Sequence, residues 1–146
     1  VAKMNNGEDR EYSAGSFEEA TQEIRNVLHI AVPELYYIPA GMEYSRTYIS
    51  KETKLAIIQY HYREKEIYFR LSANDNDLSQ SDWQDREKIQ VETLDSVLDI
   101  EMGTTSENDE ENYYAKWCYR DAYYELSGQI DKEELMKILN EMQYNL

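Results

Sequence analysis

The chain has 146 residues, the usual size of one domain, and thirty acidic residues against fifteen basic ones give it a formal net charge of −15. This charge excludes nucleic acid as a partner, because phosphate backbones are bound by clustered Lys and Arg, and it disfavours contact with anionic membrane surfaces. The single cysteine excludes an intrachain disulfide, and a domain of this length can bury a core without disulfides or metal. High net charge also favours a soluble monomer.

The N-terminal residues are polar, contain glycine and lack periodicity, so we predict a linker or disordered arm over residues 1–15. Order is predicted to begin at Ser16, which has the spacing of a capping box with Glu19. Apolar residues then recur at helical spacing and predict a first helix from Phe17 to about His29. The two prolines that follow end this helix and hold an extended connection.

The middle of the chain is rich in Tyr, Ile and Thr, which predicts an antiparallel meander of about six strands joined by short polar links. The links at 50–53 and 63–65 have the length of hairpin turns. Residues 74–85 and 104–112 are predicted to be a polar loop and an acidic loop. The strand segments are residues 42–50, 54–62, 66–71, the surroundings of Ile89 and Val91, residues 97–102, 113–119 and 122–126.

The last predicted element is a helix that begins after Asp131 and ends near Tyr144. Asp131 and Glu134 form a second capping-box pattern, and Ile130 and Leu135 occupy the positions of a hydrophobic staple. An antiparallel sheet with a helix at each end of the chain is an α+β domain, here over residues 16–146. We expect both helices to pack on one face of the sheet, because each carries a single apolar stripe.

Residues suited to catalysis are few. Cys118 lies in an aromatic strand segment, and the two histidines are His29, near a helix end, and His61, on a strand. A Cys–His pair needs hydrogen-bond contact, which nothing in this pattern indicates. Neither a Gly-x-Ser-x-Gly turn nor a Gly-rich phosphate loop is present. We therefore predict a buried free thiol, a non-enzymatic protein and no cofactor; the alternative is a hydrolase that uses Cys118 or a carboxylate pair.

Metal sites are also poorly supported. Two histidines and one cysteine are too few for a structural zinc site without carboxylates. The segment 74–79 is similar to the start of a calcium loop, but Gln80 stands where that loop requires Gly and Arg86 where it requires Glu. A solvated turn is the better interpretation, so no metal site is predicted. The acidic run 107–111 is interpreted as a mobile hairpin tip and not as a catalytic pair.

Tyrosine is unusually frequent, with fourteen residues against two Phe and two Trp. On a half-exposed sheet, Tyr can stabilise cross-strand pairs without making the surface strongly apolar. The functional alternative is an aromatic platform on the sheet that binds a hydrophobic or glycan ligand. The candidate binding residues are Tyr60, Tyr62, Tyr68, Trp117 and Tyr124.

The C-terminal third contains Lys116-Trp117, then Tyr123-Tyr124-Glu125-Leu126-Ser127-Gly128, then a helix from Asp131 that contains Glu133-Glu134-Leu135. Together with the turn Ile38-Pro39-Ala40-Gly41, these motifs resemble a bacterial family known as domain of unknown function 4367, over residues 16–142. The resemblance implies an extracytoplasmic domain that follows a membrane-spanning segment, in some members beside an anti-sigma-factor-like part. It implies no catalytic residues, and the acidic segment 104–112 departs from the family pattern.

The resulting expectation is a non-enzymatic extracytoplasmic sensor or interaction domain of a membrane-tethered bacterial protein. The chain begins with Val1 and contains no apolar run near the roughly 18–20 residues that span a bilayer. We therefore expect the anchor or signal to precede this sequence. The alternative is a carrier or binding module for a hydrophobic or glycan ligand on the tyrosine-rich sheet face. The partner is predicted to be a protein or a small hydrophobic or glycan molecule.

Overall fold

A computed structural model of the chain describes residues 2–5, 9–12, 16–74, 83–107 and 110–144. It shows the predicted α+β fold, with two helices and one large antiparallel sheet. The elements in chain order are β1 (Ala2–Asn5), β2 (Asp9–Tyr12), α1 (Phe17–Leu28), β3 (Glu34–Leu35), β4 (Glu43–Ser50), β5 (Leu55–Tyr62), β6 (Lys65–Ser72), β7 (Gln84–Glu92), β8 (Val97–Glu107), β9 (Glu110–Tyr119), β10 (Ala122–Gly128), α2 (Lys132–Asn140) and β11 (Met142–Gln143).

The large sheet has the strand order β1-β2-β4-β5-β6-β10-β9-β8-β7. Its main body is the seven strands β4 to β10, so each of the seven strand segments named above is a strand and the predicted total of about six is too low. It is also not a single meander. The strands β4 to β6 form one meander, the chain then moves to the far edge, and β7 to β10 return toward β6. Local patterns predict each hairpin, but they carry no information on which distant strands become neighbours.

The described residues 2–5 and 9–12 are strands, whereas a linker or disordered arm is predicted over residues 1–15. The strands β1 and β2 pair with each other, and β2 pairs with β4 from Asp9↔Ser50 to Tyr12↔Thr47. Tyr12 is buried in the core. A short polar strand whose backbone pairs with a sheet edge needs little hydrophobic patterning of its own, which is why composition alone predicts an arm.

The segment predicted as an acidic loop, 104–112, is largely strand. Pairing between β8 and β9 continues from Thr104↔Tyr113 to Glu107↔Glu110. The acidic run 107–111 therefore falls at the end of a hairpin, and residues 108 and 109 of that run lie outside the described residues. Backbone pairing outweighs the low strand propensity of Glu and Asn at these positions.

The buried apolar residues alternate along the strands and define a core face of the sheet. Ile58, Phe69, Leu126 and Ala115 are direct partners across four adjacent strands, and all are buried. The same core cluster contains the buried apolar residues of both helices, namely Ala20, Ile24, Leu28, Leu135, Ile138 and Leu139. Side chains on alternate positions of these strands point to the opposite face, which we call the polar face.

Both helices begin where predicted, but neither N-cap side chain makes the expected hydrogen bond. Ser16 has φ −111° and ψ 29°, and its side chain does not cap α1. Asp131 likewise makes no side-chain cap bond to α2. Glu134, expected to complete the second capping box, instead accepts hydrogen bonds from the hydroxyl of Tyr37 and the ammonium of Lys137. Tertiary partners thus replace the local ones that the sequence suggests.

Two hairpins turn through pairs of residues with positive φ, one of them at the predicted link 63–65. Arg63 and Glu64 have φ of 50° and 62°, and Arg120 and Asp121 have φ of 48° and 65°. Such two-residue turns match the right-handed twist of the flanking strands. The first turn places Arg63 at one end of the sheet, close to the start of α2.

Candidate functional site

Four of the five residues predicted to bind a ligand lie in the core. Tyr60, Tyr62, Trp117 and Tyr124 are between 0% and 5% exposed. Tyr124 is stacked on Trp117, with ring centroids 5.8 Å apart, and its hydroxyl donates to the carbonyl of Ala31 at 2.6 Å. The Trp117 indole donates to the hydroxyl of Tyr144 at 2.8 Å. These aromatic side chains therefore pack the interior, and the polar ends of Trp117 and Tyr124 bond to other elements of the fold.

Tyr68, the fifth candidate, lies on the polar face, because it pairs with Gln59 and Ser127 between core-face positions. It is half-buried, and the guanidinium of Arg70 lies 5.0 Å from its ring centroid. The structure thus does not bring the five predicted residues together on one accessible face. A shift of one residue in strand register reverses the face of every side chain, so the sequence pattern could not separate Tyr68 from Tyr60.

The polar face carries a row of alternating charges across five adjacent strands. In this row each residue is the direct cross-strand partner of the next, so opposite charges face each other throughout. The row runs from β6 to β7 through Arg70, Glu125, Lys116, Glu101 and Lys88. We call it the charge row.

Glu125, in the second position of the charge row, is 0% exposed. One carboxylate oxygen lies 3.4 Å from a guanidinium nitrogen of Arg70, and the other has no hydrogen-bond partner in the described part of the chain. Burial raises the pKa of Glu125, although Arg70 and Lys116 oppose the shift. The fold therefore accommodates an incompletely paired carboxyl group in its central strand.

Glu125→Gln is expected to be more stable than the wild type, and this gain in stability should grow as pH rises. Because the pKa of folded Glu125 is raised, folding binds a proton above the unfolded pKa, and stability falls as pH rises toward the folded pKa. Glutamine removes this dependence and can still accept from Arg70. We expect a gain of about 1–3 kcal/mol at neutral pH, the cost of a poorly paired buried polar group, and no gain below the unfolded pKa. Urea unfolding across pH measures it.

Glu66→Gln is the control, because the contribution of Glu66 to stability should change with pH in the opposite direction. A hydrogen bond from Gln59 lowers the pKa of Glu66. Its carboxylate therefore adds stability above the unfolded pKa, and this stability is lost as pH falls through the folded pKa. If both variants changed the pH dependence of stability in the same direction, the conclusion that ionised Glu125 destabilises the folded protein would be wrong.

A second feature is a cavity of about 410 Å³ at the end of the sheet where α2 begins. We call it the groove. Three parts of the chain form it: the β5–β6 turn, the start of β9 and the link from β10 to α2. Its lining residues are Tyr62, Arg63, Lys65, Glu111, Tyr113, Gln129, Ile130, Asp131 and Lys132.

The shape of the groove depends on the abrupt end of β10. Gly128 has φ of 151°, and a Cβ there would lie 2.6 Å from Cδ1 of Ile67 and 2.8 Å from the carbonyl oxygen of Glu66. The close approach to β6 directs the following residues away from the sheet. Ile130 then turns inward and is 4% exposed, while Asp131 and Lys132 remain at the surface. This strand ending and the N-terminus of α2 together make one wall.

Polar contacts hold several groove side chains in place. The guanidinium of Arg63 lies 4.9 Å from the ring centroid of Tyr62. The ammonium of Lys132 donates to Glu87 at 2.7 Å, and this bond raises the pKa of Lys132. The hydroxyl of Tyr113 donates to Glu111 at 3.1 Å, which raises the pKa of Tyr113. The groove thus presents the Arg63 guanidinium and the Lys132 ammonium, the latter paired with Glu87, beside a tyrosine hydroxyl.

The groups with potential for catalysis are separated. Cys118 is exposed, contrary to the predicted buried thiol, because Trp117 and Ala115 take the inward positions of β9. His61 lies on β5, which β6 and β10 separate from β9, the strand of Cys118. Its Nδ1 lies 3.4 Å from Oε1 of Glu66. His29 ends α1 in a left-handed conformation. The structure therefore does not place either histidine beside the thiol.

Within the described ranges, no group of three or more His, Cys, Asp or Glu residues is arranged to hold a metal ion. The calcium-loop-like segment 74–79 lies outside the described residues except for Asn74. No described helix combines the length and apolar character needed to cross a membrane.

Sequence comparison matches most of the chain to a family model. The family model named "Domain of unknown function (DUF4367)" matches residues 32–142, which run from the connection after α1 to β11 and include the groove. No curated protein matches the chain, and no solved structure matches it.

Proposed function

Because the chain belongs to the family of domain of unknown function DUF4367, we propose that it is a non-enzymatic sensor or interaction domain and that the groove is its recognition site. In this proposal the domain lies outside the cytoplasm and is tethered to a bacterial membrane. The motif resemblance described above supports that location. Protease treatment of intact cells that express the native gene tests it, since a cytoplasmic domain would stay protected.

The observation that carries the recognition proposal is the groove itself. Its volume of about 410 Å³ falls within the range of roughly 300–1,000 Å³ typical of small-molecule sites. Polar and charged side chains converge there from three separate parts of the chain, around the buried side chains of Tyr62 and Ile130. This combination of an apolar floor and oriented polar groups is typical of a ligand site.

We propose further that α1 and α2 cover the same face of the sheet. Two contacts support this arrangement. The ring of Phe17 in α1 lies 5.1 Å from that of Tyr44, the strand partner of buried Tyr60. Lys132 of α2 bonds to Glu87, the strand partner of buried Met102. The alternative function, a hydrophobic or glycan carrier on the tyrosine-rich face, is weakened because four of its candidate residues are buried. Tyr62 connects the two hypotheses, since it also lines the groove.

We expect a ligand of the groove to raise the thermal midpoint of the wild-type protein but not that of Gln129→Trp, which fills the groove. The panel comprises peptidoglycan fragments, oligosaccharides, fatty acids, phospholipids and Ca²⁺. A ligand at about 100 times its Kd adds about 2.7 kcal/mol, and each kcal/mol raises the midpoint by about 2–4 °C at this size.

Lys51→Trp is the matched control, because it adds the same side chain to an exposed turn at the other end of β5. It should respond to the ligand as the wild type does. A ligand that shifts Gln129→Trp as much as the wild type binds elsewhere and would refute the groove as the recognition site. A panel without any shift would refute recognition of these small-molecule classes by the groove.

A further inference from the structure

We propose that the ligand of the groove carries a carboxylate or phosphate group, which Arg63, Lys65 and Lys132 bind. This inference rests on the proposed function and specifies its ligand class. Three cationic side chains line the groove, against the two carboxylates of Glu111 and Asp131. The lining therefore has more cations than carboxylates, although Glu87, beside the groove, pairs with Lys132 at 2.7 Å, in a chain where acidic residues are twice as many as basic ones.

Position, as well as number, distinguishes these cations. Arg63 and Lys65 flank the β5–β6 turn, whereas Lys132 is the first residue of α2, far away in sequence. The fold therefore brings positive charge together from two distant segments. Elsewhere in an acidic chain, a small anion meets repulsion from the summed negative field, so such a convergence selects where it binds.

The Arg63 guanidinium is partly oriented before any ligand binds. Its backbone has φ of 50° within a two-residue turn, which fixes the direction in which the side chain leaves. The guanidinium then lies 4.9 Å from the centroid of the Tyr62 ring. An oriented guanidinium can bind a carboxylate or phosphate through two parallel hydrogen bonds, and it loses less conformational entropy on binding.

The other groove residues suit the uncharged part of such a ligand. Tyr62 and Ile130 are 2% and 4% exposed, so they close the groove from below with apolar side chains. Gln129 and the hydroxyl of Tyr113 add hydrogen-bonding groups at the rim. A small molecule with one anionic group and a ring or short chain would satisfy both parts of the groove, whereas an inorganic anion would use only the cations.

Three probes of similar size test the inference: glucose 6-phosphate, glucuronate and glucose. They are titrated into the ¹⁵N-labelled protein at low ionic strength, with inorganic phosphate as a fourth probe. We expect the two anionic sugars to shift the amide resonances around Arg63, Gln129 and Lys132, and glucose to leave them unchanged. Added salt should weaken the anionic probes, because their attraction is screened. Inorganic phosphate should bind more weakly than glucose 6-phosphate.

Charge variants locate the contact. Arg63→Gln and Lys132→Gln should each weaken glucose 6-phosphate binding by about fivefold or more, as expected for loss of one partly screened charge-assisted hydrogen bond. Lys51→Gln removes the same charge from an exposed turn at the other end of β5 and should leave the affinity within about twofold, because its charge is remote and screened.

The outcomes separate this inference from the proposed function. If glucose binds the groove as well as the anionic sugars do, or if Arg63→Gln and Lys51→Gln behave alike, the anion inference fails while the groove remains a recognition site. If neither these probes nor the wider ligand panel reaches the groove, both proposals fail. Phosphate that binds as tightly as glucose 6-phosphate would refute the role of the apolar floor.

Discussion

Gly128→Ala is expected to lower the free energy of unfolding by about 2–4 kcal/mol, which combines the cost of a strained backbone with that of overpacking. Gly128 has φ of 151°, a region that residues with a Cβ rarely adopt. The new Cβ would also lie 2.8 Å from the carbonyl oxygen of Glu66 and 3.1 Å from Cα of Ile67. These are backbone atoms of the paired strand β6, so relief requires two central strands to separate.

Gly41→Ala is the matched control for this prediction. Gly41 also has a positive φ, 86°, but no atom lies within 4 Å of the position that its Cβ would occupy. It should therefore show backbone strain alone, about 1 kcal/mol. Urea unfolding of both variants gives the comparison. Equal losses would mean that the contact with β6 contributes nothing and that only the backbone conformation of Gly128 matters.

Tyr124→Ala should lower the free energy of unfolding by about 3–5 kcal/mol, the range for removal of a large buried aromatic side chain. The Tyr124 ring is fully buried and lies against Phe69, Trp117 and Tyr144, with centroids 5.4–6.3 Å apart. The substitution also leaves the carbonyl of Ala31 without the hydroxyl donor that Tyr124 supplies. Both losses act on the connection between the sheet and the segment after α1.

Tyr68→Ala is the comparison, because it removes the same side chain from the polar face. We expect a loss within about 1 kcal/mol, as for a half-exposed site with one cation–π contact. Denaturant unfolding followed by tryptophan fluorescence measures both variants, and Trp117 reports directly on the Tyr124 site. Similar losses in the two variants would show that the core face and the polar face contribute equally, against the burial described above.

Sequence periodicity was sufficient for the elements that have a strong local pattern. Helix α1 and the strands from β4 to β6 end within two residues of their predicted bounds, because alternating or helical apolar spacing reports directly on burial. The resemblance to the family was confirmed for the same reason, since its motifs are strand and helix patterns. Elements with weak patterns, such as β1 and β2, depend on a neighbouring strand and could not be recognised alone.

The candidate site could not be predicted, because it depends on long-range neighbours. The groove combines Arg63 with Lys132, residues brought together by the pairing of β6 with β10. Neither segment carries a recognised binding motif. The position of Cys118 and the burial of Glu125 depend on strand register in the same way. A charge count by residue type shows an acidic chain and does not show that three cationic side chains line one groove.

The pairing of β10 with β6 also constrains the order in which the protein can be built. β10 is the last strand of the main sheet to leave the ribosome, yet it occupies the centre, between β6 and β9. Until residues 122–128 have emerged, β6 has an unpaired edge and the two halves of the sheet have no common strand. Once β7 to β9 have emerged, the nascent chain therefore carries two incomplete sheets, and a single late strand joins them.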